Sequence, residues 1–121
     1  EEAAADFEQA LTINGYEVLA NYGSGVLAYR REEYDMARDY FMNAWAADSE
    51  RPEILYYLGM VYHRLRDNTL AHYWMEQASK HYETLENREA RRRKRNCERW
   101  LKVFDKLIAE ADEASQSAPE S

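Results

Sequence analysis

Three histidines, His63, His72 and His81, fall nine residues apart, a regularity that first suggests a metal site. Nine residues turn a helix about two and a half times, so His72 and His81 on one helix point to opposite sides. A metal ion needs ligands that converge, and the pattern therefore predicts no metal. Cys97 is the only cysteine; it cannot form an internal disulfide or hold zinc by itself, and it falls near an apolar stripe, which predicts packing rather than reactivity. No Gly-rich phosphate loop, Ser-His-Asp arrangement or carboxylate pair with a defined cleft can be picked out. The sequence thus predicts a non-catalytic protein without a cofactor. What remains is surface chemistry. Tyr22 and Tyr56 are separated by the same interval as Arg30 and Arg64. Tyrosine offers a large contact area with few rotors to freeze, plus a hydroxyl for a peptide backbone. Arginine holds a carboxylate through two parallel bonds.

The elements that position these residues follow from length and composition. At 121 residues there is room for one domain, and 45% apolar with 32% charged residues fits a folded chain. Four glycines and two prolines are too few for an all-β chain that turns every eight to twelve residues. The longest apolar run, Ile54 to Tyr62, is about half of what a membrane crossing needs. An all-α fold is expected. The net charge of −7 argues against non-specific nucleic-acid binding. Charge is unevenly placed, however: residues 1–17 hold five acids and no base, whereas residues 88–102 hold eight bases and two acids. The chain opens on Glu1 without a signal-like stretch, which reads as a fragment or processed product and leaves the compartment open.

Shifted by the interval from Tyr22 to Tyr56, the sequence falls on itself. Ala3, Ala37 and Ala71 coincide, as do Phe7, Phe41 and Met75, and Ala10, Ala44 and Ala78. Gly25 meets Gly59, Arg30 meets Arg64, Leu27 meets Val61, and Tyr40 meets Trp74. Small residues that recur in register are what closely crossed helices require. The second copy reads Leu55, Leu58-Gly59, Tyr62, Ala71, Met75, Ala78; the first reads Asn21, Ser24-Gly25, Ala28, Ala37, Phe41, Ala44. This pattern resembles the tetratricopeptide repeat, a helix-turn-helix unit of the same length, over residues 1 to about 85. It departs from the family in lacking the repeat-ending proline, with Ser49 and Glu83 in its place.

The resemblance implies a solenoid of helix pairs ended by a long capping helix. Residues 1–17 are then the second helix of a truncated repeat, stopped by a left-handed turn at Asn14-Gly15. Two full repeats follow, 18–51 and 52–85, with helices near 17–30, 34–47, 52–65 and 69–83. Pro52 suits a first helical turn, and Asp67 or Asn68 suits a cap. Cys97, Trp100, Leu101, Phe104, Leu107, Ile108 and Ala111 make one stripe on a helix expected over residues 86–113, before a flexible tail, 114–121.

In this family the first helices of successive repeats line a concave groove. The resemblance maps that groove onto Leu19, Tyr22, Val26, Tyr29 and Arg30, and onto Glu53, Tyr56, Met60, His63 and Arg64. It implies a peptide or helix, acidic in part, held by Tyr22, Val26, Tyr29, Arg30, Tyr56, Met60, His63 and Arg64, in an adaptor that assembles larger complexes. Packing and solvation are the competing readings of these positions. The Lys and Asn that grip chaperone tails in some members are absent here. A dedicated secretion or pilus-assembly chaperone is the alternative by analogy. For Arg91 to Arg95 three readings compete: a solvated face, a groove border with Lys94 best placed, and a nucleic-acid contact that salt would abolish. At the N-terminal end Ala3, Phe7, Ala10 and Leu11 form an apolar face lacking its preceding helix. Covering Phe7 and Leu11 is worth about 3–6 kcal/mol, which predicts a longer natural protein or self-association there.

Overall fold

A computed structural model describes residues 13–117, and side chains from Tyr16 onward. The expected N-terminal face of Ala3, Phe7, Ala10 and Leu11 lies outside the described residues. These are all-helical: α1 (Ile13–Arg30), α2 (Tyr34–Ala47), α3 (Pro52–Arg64), α4 (Asn68–Glu83) and α5 (Arg88–Ser117). No strand occurs among them. α1 packs on α2, α3 on α4 and α5 on α4, with α2 against α3 joining the two hairpins.

Several helix ends have an identifiable closing or capping interaction. α1 closes with Glu33 N–H donating to Ala28 O at 2.9 Å and Glu32 N–H to Tyr29 O at 3.0 Å. α3 closes in the same way, Asp67 N–H to Tyr62 O at 2.9 Å and Arg66 N–H to His63 O at 3.0 Å. These paired bonds satisfy carbonyls that a helix end otherwise leaves open. Asp48 ends α2, and its carboxylate accepts from Glu50 N–H and pairs with Arg51, both at 3.0 Å. Pro52 then opens α3, where no N–H is needed. The Asp67 carboxylate accepts from Leu70 N–H at the start of α4, and Asn87 Oδ1 accepts from Ala90 N–H at 2.7 Å at the start of α5.

Two expectations about the ends are corrected. Asn14 and Gly15 lie inside α1, and no described glycine has a positive φ, so no left-handed stop occurs there. α5 runs to Ser117 rather than ending near residue 113, with every residue from 109 to 117 exposed.

The core is built from the small and large residues that coincide between the two sequence copies. Ala37, Phe41 and Ala44 of α2 and Ala71, Met75 and Ala78 of α4 are all fully buried. Each set faces a glycine of the preceding helix. Gly25 lies against the Phe41 ring, and Gly59 against Met75 and the Ala71 carbonyl. Absence of a side chain at these two points lets the helix backbones approach. α5 buries Ala90, Cys97 and Phe104, one residue every two turns, against α4, with Phe104 also meeting His63 of α3.

Candidate functional site

Tyr22 and Tyr29 of α1 and Tyr56 and Tyr57 of α3 come together in one aromatic cluster that fixes them. Tyr57 of α3 is its centre. It stacks on the buried Phe41 ring at 5.0 Å between centroids, and three tyrosines meet it edge-on: Tyr22 at 5.8 Å, Tyr29 at 5.7 Å and Tyr56 at 5.8 Å. Edge-to-face contacts add about 0.5–1.5 kcal/mol per pair beyond burial, so these rings are held in place. Tyr22, Tyr29 and Tyr56 are half-buried, each keeping part of its surface open. Burial pushes the Tyr22 and Tyr56 phenols up from their ordinary range, which keeps them neutral donors at physiological pH.

Tyr57 is not among the residues the sequence singles out. Its equivalent in the preceding copy is Gly23, so the repeat carries no aromatic signal at that position.

α5 forms the wall beside α3. Asn96 Nδ2 donates to the Tyr56 hydroxyl at 3.5 Å. Arg93 is held by Glu89 at 2.8 Å, and its guanidinium lies close enough to oppose the rise in the Tyr22 phenol. Arg92, Arg93, Arg95, Asn96 and Arg99 surround an open hollow of 480 Å³. A smaller, mainly apolar recess of 130 Å³ lies between α1 and α3, lined by Val18, Leu19, Tyr22, Arg51, Glu53 and Ile54.

The candidate residues separate into two groups. Tyr22, Val26, Tyr29 and Tyr56 are half-buried, while Arg30 and Arg64 are exposed. The Tyr29 phenol beside Arg64 raises that guanidinium above its usual range, so it stays charged at any ordinary pH. Three residues leave the open face. Met60 is only 6% exposed. His63 Nδ1 donates to Asn68 Oδ1 at 2.9 Å, and the ring packs against Trp100 at 5.5 Å and Phe104 at 5.2 Å. Trp100 and Phe104 of the terminal helix thus cover His63. Lys94 sits on the opposite shoulder of α5, bonded to Glu98 at 3.0 Å and to Glu83 at 3.4 Å. Arg93 and Asn96 stand where Lys94 was expected, because α5 is rotated to bury Ala90, Cys97 and Phe104.

The remaining reactive groups are accounted for by packing. Cys97 is fully buried, and burial pushes its thiol up to about 11, which suppresses the thiolate. His72 faces Asp105 of α5 at 3.1 Å, whereas His81 lines a separate hollow with Trp45, Tyr73 and Trp74 on the α2–α4 side. Among the described residues no three His, Cys, Asp or Glu side chains come together to hold a metal ion, and no helix is long and apolar enough to cross a membrane. No protein-family model and no curated protein matches the chain.

Proposed function

We propose that the chain is a tetratricopeptide-type stack that holds a peptide of a protein partner on its tyrosine-floored face and serves as a non-catalytic adaptor. The observation that carries this reading is the clamped set Tyr22, Tyr29 and Tyr56 around Tyr57, beside the guanidinium groups of Arg64 and Arg93. Rings already fixed in their bound orientation lose little entropy on contact. The recess between Val18, Leu19 and Tyr22 has room for about one apolar side chain of a ligand, and the α5 wall favours acidic neighbours.

The repeat assignment is supported by recurrence in three dimensions. Gly25 against Phe41 and Gly59 against Met75 are equivalent contacts, and α1 and α3 end in equivalent hydrogen bonds.

Selection from a random peptide library by the full chain tests the reading. Selected peptides should combine an apolar anchor with nearby acids. Tyr22→Phe and Tyr29→Phe together keep the packing and delete two hydroxyls, and Arg93→Gln removes the facing charge. The triple variant should weaken the selected peptides about tenfold or more while the helical circular dichroism stays unchanged. Equal affinity in the variant rejects this face as the binding site.

A further inference from the structure

The outer face of α5 carries a row of cations. Arg88, Arg92, Arg95, Arg99, Lys102 and Lys106 follow one another in steps of four, three, four, three and four residues. That is the 3.5-residue period with which a helix presents one stripe to another helix. The row is diametrically opposite Ala90, Cys97 and Phe104, the residues α5 buries, and all six members are exposed. Eighteen residues separate its ends, about 27 Å along the axis.

A merely solvated helix face mixes signs, because i,i+4 pairs of opposite charge stabilise it. Here the acids of the same stretch, Glu89, Glu98 and Asp105, stand on the shoulders and engage Arg92 and Arg93, Lys94 and His72. Within the row only Arg92 has an ion-pair partner among the described residues. Neighbouring cations about 5 Å apart lie inside one Debye length of each other, so the row repels itself until something negative covers it. This occurs in a chain that otherwise has more acids than bases.

We infer that this row docks an acidic helix of a partner protein. Acids at the same four-three steps on a facing helix repeat every ~5.2 Å, matching the row along its whole length. Alternate side chains of an extended peptide repeat every ~6.6 Å and drift out of register after a few contacts. A nucleic-acid backbone is negative throughout, but this face turns acidic beyond Lys106, at Glu110 and Glu113. The described helices of a second copy fit poorly, since antiparallel α5 helices would set cations on cations. The other described helices each hold at most two acids, too few to match the row. The inference does not require the tyrosine face, although Arg92, Arg95 and Arg99 also line the hollow beside it.

The test is fluorescence anisotropy on the full chain with a labelled alanine-based helical peptide of about 25 residues carrying Glu at four-three steps. A second peptide has the same composition with Glu spread around the helix. The stripe peptide should bind about tenfold tighter than the spread one, and added salt should weaken it. The variant Arg88→Gln/Lys102→Gln/Lys106→Gln, which leaves the tyrosine face untouched, should lose about tenfold. Circular dichroism verifies that the variant remains helical. Equal binding of the two peptides, or no binding of either at low salt, overturns the inference. So does tighter binding to a DNA duplex or to equimolar phosphatidylserine–phosphatidylcholine vesicles.

Discussion

Glu32 and Arg66 occupy equivalent places just after the ends of α1 and α3, and both adopt positive φ, 62° and 65°. This left-handed geometry closes the two helices with the same pair of backbone bonds. Glycine usually fills such a position because a β-carbon costs roughly 1–2 kcal/mol there. The strain is thus repeated with the fold. Glu32→Gly and Arg66→Gly should each stabilise the protein by about 0.5–1 kcal/mol, the relief being partly offset by the larger unfolded-state entropy of glycine. Urea unfolding midpoints measure it. A loss of stability in both variants would mean that the turn relies on side-chain contacts instead.

The two buried glycines respond differently to a methyl group. A β-carbon on Gly25 would come within 2.7 Å of Phe41 Cε1, and that ring is fully buried and stacked on Tyr57. On Gly59 the first contact is the mobile end of Met75 at 3.0 Å. Overpacking costs about 1–3 kcal/mol, against a helix-propensity gain of up to about 1 kcal/mol for Gly→Ala. Gly25→Ala should destabilise by about 1–2 kcal/mol net, and Gly59→Ala by less than about 1 kcal/mol. Thermal unfolding of the pair checks the order.

Helix positions were legible because periodic small residues and Pro52 report on packing that is local to each hairpin. A cap at Asp67 or Asn68 was readable for the same reason, a short side chain before an apolar run; the structure places it at Asp67. The left-handed positions were not. Asn14-Gly15 has the residue types for a stop, yet α1 continues through it, whereas Glu32 and Arg66 make the turn with residues that carry no such signal. Tertiary packing decided both. On the site, Tyr22 and Tyr56 were visible through their recurrence at equivalent positions, whereas Tyr29 stands opposite His63 and Tyr57 was hidden opposite Gly23. The rotation of α5 decides that His63 is covered and that Arg93 rather than Lys94 lies near Tyr22. It depends on how one helix meets two others, which no single stripe encodes.

Caps divide the helices by how much each start contributes. Asp67 and Asn87 both accept a backbone N–H, from Leu70 at 3.1 Å and from Ala90 at 2.7 Å. Glu33 before α2 makes no side-chain cap bond. Replacing Asp67 or Asn87 with Ala should cost about 1 kcal/mol each, while Glu33→Ala should change little and Glu33→Asp should add up to about 1 kcal/mol. Chemical denaturation of the four single variants reads these differences directly. A cost at Glu33 as large as at Asp67 would remove capping as the explanation.

Alkaline pH should loosen the core through groups that burial keeps protonated. Desolvation pushes the Cys97 thiol up to about 11 and the Tyr82 phenol up to about 12, the latter reinforced by Glu53. In the unfolded chain they ionise near about 8.5 and about 10. Between those unfolded values and the folded ones, the unfolded state has released a proton that the native state keeps. Stability therefore falls as pH rises, by about 1.4 kcal/mol per pH unit for each group within its own window. The contribution is complete below about pH 8 and exhausted near pH 12. Cys97→Ala costs stability at neutral pH by leaving a small cavity, yet between about pH 9 and 11 its unfolding free energy should decline less steeply than that of the parent. Comparing the two slopes cancels the titration of lysines and other tyrosines, which both proteins share. Parallel slopes would show that the thiol does not carry the effect; Tyr82→Phe should then flatten the decline only above about pH 10.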